Sequence, residues 1–184
     1  MKLICVDAGH GGKDTGAIGY DLYEKNVTLR LTKLLNQELE KYQVAATFTR
    51  YDDDYKSLEE RCDWANRKGA DFFISLHCNS YEDSSVGGFE SYVLYNAYDS
   101  TLAKQTAIHS SVMSYLDDYN IRDRGKKEAG FYVLKYTDMP AILLENLFIT
   151  NRRENELLRD GDFLRGLARA IASGLAKALN LSLD

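Results

Sequence analysis

The sequence holds little of what staples, breaks or anchors a chain. One proline in 184 residues excludes a proline-rich linker. Three cysteines, Cys5, Cys62 and Cys78, form no CxxC pair and no even, regularly spaced set, so neither a disulfide framework nor a thiolate zinc site is expected. There is no basic surplus: 23 Lys and Arg stand against 28 Asp and Glu, for a net charge of −5. The basic clusters at residues 122–127 and 152–153 are interrupted or flanked by carboxylates, so a nucleic-acid partner is not expected. No apolar run is long enough for a membrane span or a secretory leader, and the opening run, residues 3–6, is far too short for either. No membrane partner is therefore expected, and no signal peptide is read in this chain.

What is present is the balance of a globular protein, 45% hydrophobic and 28% charged. The length suits one domain with a core of its own. Apolar runs at residues 3–6, 44–49, 71–76 and 141–144 read as strands buried on both faces, and residues 89–94 as a fifth. Between them lie helical patterns. Over residues 26–42 the apolar positions Val27, Leu31, Leu34, Leu35, Leu39 and Tyr42 make one stripe. Residues 57–68 open with a capping box, Ser57 with Glu60. Residues 97–119 and 151–179 supply two more helical regions, the last broken near Asp160-Gly161-Asp162. Strands alternating with helices predict a single-domain α/β fold, its sheet largely parallel and covered by helices on both faces.

In such sheets ligands gather at the carboxyl ends of the strands. After Val6 comes Asp7-Ala8-Gly9-His10-Gly11-Gly12, after Leu76 comes His77-Cys78-Asn79-Ser80, and after Leu144 comes Glu145-Asn146. Two of the three histidines and one carboxylate thus sit just past strand ends. The third, His109, lies in a helical pattern beside Ser110-Ser111 and reads as a surface residue. Two neutral imidazoles and a carboxylate are the ligands of a common catalytic zinc site whose fourth position is open to water. Asp7, Asp14, Glu24 and Glu145 are all candidates for the carboxylate ligand. Glu24 opens the first helix, where its alternative is a first-turn glutamate complementing the helix dipole. Glu145 stands in an apolar segment, where a charge is costly unless paired or functional. Cys78 follows His77 directly, and adjacent strand residues point to opposite faces, so Cys78 is not expected on the same metal.

These residues resemble those of the zinc-dependent N-acetylmuramoyl-L-alanine amidases, which cut bacterial peptidoglycan between the sugar and the stem peptide. The resemblance runs from Lys2 to about Leu179. It rests on residues 7–17, on Tyr23-Glu24-Lys25-Asn26, on Thr49-Arg50 and on Ser57-Leu58-Glu59-Glu60-Arg61 with Ala65-Asn66. It continues through residues 75–80, Gly88-Phe89-Glu90, Asp123-Arg124-Gly125 and the segment from Met139 to Asn146. It implies zinc held by His10, Glu24 and His77, catalysis by Glu145, and a twisted, mostly parallel six-stranded sheet. Two positions depart from the family pattern. Ala8 replaces the usual proline, and Leu147 replaces a frequent glycine, where it is expected to narrow the floor of the site. Residues 80–86 are too few for the helical insertion that blocks the site in many members, so an uninhibited domain is expected.

The resemblance further implies peptidoglycan as the partner, an open groove, and a monomeric catalytic domain over residues 1–184 that acts at the bacterial cell wall. Walls are often anionic and an acidic chain gains no general attraction to them. Targeting by a separate wall-binding module on a longer chain, or by local concentration alone, is the corresponding expectation, with release by lysis as the route to the wall. A zinc peptidase on a related fold and a non-catalytic wall-binding module are the alternatives. Neither GxxxxGK[ST] nor GxGxxG occurs in the glycine loop, which argues against a phosphate cradle.

Overall fold

Ile4, Cys5, Val6 and Ala8 are fully buried and Asp7 nearly so, which makes β1 (Lys2–Ala8) a central strand. The computed structural model describes residues 1–183. A small hairpin follows β1, made of β2 (Ile18–Gly19) and β3 (Leu22–Tyr23), and leads into α1 (Glu24–Leu39). Then come β4 (Val44–Phe48), α2 (Leu58–Lys68), β5 (Phe72–Asn79) and β6 (Phe89–Val93). α3 (Asp99–Leu116), β7 (Asp123–Glu128), the single turn α4 (Tyr132–Lys135), β8 (Ala141–Phe148), α5 (Arg152–Arg159) and α6 (Gly161–Leu179) complete the chain. The sheet has six strands in the order β4-β1-β5-β8-β6-β7, with only the β6–β8 pair antiparallel.

Side-chain alternation sorts the core into two layers. Ile4, Val6, Ile74, Leu76 and Leu144 face α1, α3, α5 and α6 in the larger layer. Cys5, Phe73 and Leu143 face α2 and α4 in the smaller one. In α1 the buried stripe is Val27, Leu31, Leu35 and Leu39, each at most 2% exposed, and burial of each contributes roughly 1.5–3 kcal/mol. The capping box at Ser57 and Glu60 forms as expected, and α2 ends on Gly69 in the left-handed region. The break near residue 160 is also as expected, with Asp160 capping α6 through the amides of Asp162 and Phe163.

Several expectations are corrected. β5 and β8 run on past the apolar residues, so His77, Cys78 and Glu145 lie inside strands rather than beyond them. Their ladder continues because His77 pairs with Glu145 in register. β7 was not expected: it reads Asp-Arg-Gly-Lys-Lys-Glu, and an edge strand needs no apolar alternation. His109 is not at the surface. It is 4% exposed, lies 2.8 Å from Ser91 Oγ and 3.0 Å from Asp123 Oδ1, and so ties α3 to β6 and β7.

Leu147 does not narrow the site. Its side chain is fully buried in the larger layer, on the sheet face opposite the functional groups. Its backbone has φ 68°, at the irregularity where β8 shifts register against β5. A left-handed leucine costs roughly 1–2 kcal/mol, a cost that glycine does not carry. The burial that Leu147 contributes is larger, about 2–5 kcal/mol on truncation. Leu147→Gly is therefore expected to lower stability by about 1–3 kcal/mol, read as a fall of roughly 5 °C in Tm. An unchanged Tm would mean that strain and packing cancel, and a raised one that the strain outweighs the packing.

Candidate metal and catalytic site

The site begins with the turn after β1. His10 adopts φ 61°, a conformation that an L residue holds only when its surroundings impose it. Two arginines from separate elements do so. Arg50, just after β4, donates from Nε to the Ala8 carbonyl and from Nη2 to the Gly9 carbonyl, both at 2.9 Å. Arg61, on the buried face of α2, donates from Nη2 to the His10 carbonyl at 2.7 Å and from Nη1 to the Ala8 carbonyl at 2.6 Å. Arg61 is held in turn by Asp7, at 2.7 Å, and Asp7 also accepts from Thr49 and Ser75. Burial alone would raise the Asp7 carboxyl. The Arg61 guanidinium and the two hydroxyls outweigh it and hold the group below the usual carboxylate range.

His10, Glu24 and His77 converge, with one ligand atom from each lying within 4.8 Å of the others. Glu24, the first residue of α1, is 3% exposed and sits between the rings. Its Oε2 is 3.1 Å from His10 Nε2 and its Oε1 is 3.0 Å from His77 Nδ1. The amides of Ala17 and Cys78 each donate to it at 2.9 Å. Of the four carboxylate candidates, only Glu24 joins the cluster. Asp7 turns to Arg61, and Asp14 lies 2.9 Å from His10 Nδ1, where it orients the ring from behind. Glu145 stands apart, and the Cys78 thiol is buried in the larger core layer.

Two imidazoles and a carboxylate with ligand atoms this close to one another suit a divalent cation. A Cβ on Gly16 would come within 2.6 Å of both Glu24 Oε2 and His10 Cδ2, so only glycine lets the loop close on these ligands. Burial would lower the imidazoles, but Glu24 outweighs it, drawing His10 up to about 9 and His77 in the same direction. Conversely, burial would raise Glu24, and the two imidazoles hold it well below its ordinary value. Two protons or one divalent cation meet the same charge demand, and a cation displaces the protons.

Glu145 is in register with His77 on the neighbouring strand. Its Oε2 is buried and has no hydrogen-bond partner among the described residues. Burial pushes its carboxyl up to about 7, with Glu24 and Glu90 adding to the shift and His77 opposing it. A cavity of about 240 Å³ opens beside the group, lined among others by His10, His77, Glu145, Tyr55, Phe131 and Tyr132. None of residues 80–88, which connect β5 to β6, lines it.

A family model described as N-acetylmuramoyl-L-alanine amidase matches residues 4–177, nearly the whole chain. The chain belongs to the N-acetylmuramoyl-L-alanine amidase family. This amidase chain is 42% identical, over 98% of its length and 69% of the relative's, to the sporulation-specific N-acetylmuramoyl-L-alanine amidase of Bacillus subtilis (strain 168). It is 41% identical to the endolysin of Bacillus phage SPP1, over 98% of its length and 67% of the relative's. The catalytic domain of the amidase CwlV from Bacillus (Paenibacillus) polymyxa var. colistinus superposes with a TM-score of 0.92 at 32% identity, covering 99% of this chain and 100% of that one. An amidase from Clostridium difficile 630 gives a TM-score of 0.93 at 32% identity, covering 97% of each chain. No helix among the described residues is long and apolar enough to cross a membrane. Sequence reasoning assigned no role to Arg50 and Arg61. A buried arginine leaves no periodic signal, and their function is visible only once β4 and α2 stand beside the His10 turn.

Proposed function

We propose that this amidase hydrolyses the amide between N-acetylmuramic acid and L-alanine in peptidoglycan, with a zinc ion held by His10, Glu24 and His77 and with Glu145 as the catalytic carboxylate. The observation that carries this reading is the meeting of three ligand atoms within 4.8 Å beside a buried carboxyl oxygen that has no partner of its own. Zinc bound there supplies Lewis acidity to the amide carbonyl and brings the pKa of water to about 7. The chain's own groups do the rest. Asp14 and the two backbone amides on Glu24 keep the ligands oriented. Glu145 takes a proton from the attacking water and returns it to the alanine nitrogen as the C–N bond breaks. The products are a muramoyl carboxylate and a stem peptide with a free amino terminus. The chain acts at the cell wall as a monomeric domain, and peptidoglycan is its partner.

The test is stem-peptide release from purified peptidoglycan, followed by mass spectrometry with and without a zinc chelator. New L-alanine amino termini are expected, lost with chelator and restored by added zinc. Release that is indifferent to chelation would refute the metal assignment. Intact peptidoglycan in every condition, together with cleavage of free peptides, would point to a zinc peptidase instead.

A further inference from the structure

The row of side chains that contains His77 and Glu145 does not end at Glu145. Glu90 on β6 pairs in register with Glu145 on β8, so His77, Glu145 and Glu90 follow one another on the same face across three strands. Glu90 is buried and saturated. Its Oε1 accepts from Asn79 Nδ2 at 2.6 Å and Tyr92 OH at 2.9 Å. Its Oε2 accepts from Arg124 Nε at 3.1 Å and from Lys127 Nζ.

Arg124 and Lys127 are three residues apart, and on a regular strand they would point to opposite faces. A bulge brings them together. Phe89 pairs with Asp123 while Ser91 pairs with Lys126, so β7 spends one residue more than β6 over this stretch. Gly125 lies in it at φ 89°. Nothing lies within 4 Å of where its Cβ would be, so glycine is required here by conformation and not by space. Bulges of this kind re-aim side chains beside active sites.

Neutralising Glu90 needs one cation, and two are supplied. The charges are also layered: the Glu90 side chain is 3% exposed, Arg124 25% and Lys127 37%, so the acid is inside and the cations face out. Each keeps donors in reserve. Arg124 uses Nε on Glu90 and Nη1 on the Gly87 carbonyl, while its Nη2 has no hydrogen bond among the described residues and the Phe148 ring, 4.9 Å away, supports the guanidinium. Among the described residues Lys127 has one acceptor for its three protons, Glu90. Tyr92, whose ring lies 5.7 Å from the Lys127 ammonium and edge-on to Phe131, separates this charged end from the aromatic wall of the cavity.

We propose that Arg124 and Lys127 form a carboxylate-binding subsite for the stem peptide on the leaving-amine side of the scissile amide. The proposal rests on the amidase reading. Glu90 lies two strand spacings from His77, roughly 10 Å; two extended residues cover roughly 7 Å of that, and a hydrogen bond of about 3 Å to Arg124 or Lys127 takes up the rest. The neutral sugar then lies toward Tyr55, Phe131 and Tyr132, and the acidic peptide toward β7.

The test uses the zinc-loaded chain and two synthetic substrates that differ in one group, N-acetylmuramoyl-L-Ala-D-isoglutamate and its D-isoglutamine amide. The free carboxylate is expected to lower KM about tenfold or more. Lys127→Met is expected to raise KM for the carboxylate substrate by about that factor, leave kcat and the KM of the amide substrate alone, and be rescued by Lys127→Arg. Arg124→Gln should act in the same direction. Equal KM for both substrates in the wild type, or equal losses on both in Lys127→Met, would overturn the subsite. Binding of the free dipeptides L-Ala-D-isoglutamate and L-Ala-D-isoglutamine, followed by calorimetry, reads the subsite without turnover. If neither substrate is cleaved the amidase reading fails. Carboxylate-selective dipeptide binding that Lys127→Met abolishes would still support the subsite, and unselective binding would refute it.

Discussion

Glu145→Gln is expected to reduce turnover of muramoyl peptides by about 10³-fold, the range of a lost general acid–base group, while zinc content stays at the wild-type level. Glutamine keeps the volume of the side chain and cannot carry the proton. None of the three converging ligand atoms belongs to Glu145, so the metal has no reason to leave. The same substitution is also expected not to lower Tm. The Glu145 carboxyl oxygen is buried without a partner, and a neutral side chain is easier to hold there. Lost activity with retained zinc and retained stability is the pattern of a site that trades stability for chemistry. Near-normal turnover by Glu145→Gln would remove Glu145 from the mechanism. Loss of zinc would make it a ligand instead.

Asp7→Asn is expected to destabilise the fold by about 3 kcal/mol at neutral pH, because it leaves Arg61 buried beside a neutral partner. For a chain of this size that is a fall in Tm of about 10 °C. The pH dependence follows from the direction of the Asp7 shift. Its pKa is lower in the folded chain than in the unfolded one, so the ionised form stabilises the fold above the unfolded value, about 4. That stabilisation is lost as the pH drops below about 4 and through the folded value. Wild type and Asp7→Asn should thus differ most at neutral pH and converge in acid. A difference that stays constant down to acid pH would show that shape, not charge, sets the penalty. Zinc affinity gives a second readout. Arg61 is bonded to the His10 carbonyl, so the variant should also bind zinc more weakly than its loss of stability alone would cause.

Much of this site is legible along the chain because its chemistry is local. His10 sits among glycines, His77 and Glu145 interrupt apolar runs, and the helix that opens at Glu24 has a clear stripe. A charged residue in a buried strand is costly, and such a cost marks function. The capping box at Ser57 and the break at Asp160 are equally local, since each is a hydrogen bond between near neighbours. The exposed reading of His109 failed for the opposite reason. Its partners, Ser91 and Asp123, lie 18 and 14 residues away and meet it only in the folded chain.

By itself, then, the sequence determined the alternation of strands and helices, the polar residues delivered to the strand ends, and the family resemblance that singles out His10, Glu24, His77 and Glu145. Periodicity and short-range bonding carry that information residue by residue. Residue pattern alone left Asp7, Asp14, Glu24 and Glu145 open as the carboxylate ligand and the resemblance pointed to Glu24; the tertiary structure supplies the reason, setting Glu24 between the imidazoles and Asp7 against Arg61. It alone showed Arg50 and Arg61 holding the turn at His10. It alone turned Leu147 away from the site, and it alone aligned Arg124 with Lys127 through one extra residue in β7. Each of these depends on register and packing between segments far apart in the chain, which no local pattern records.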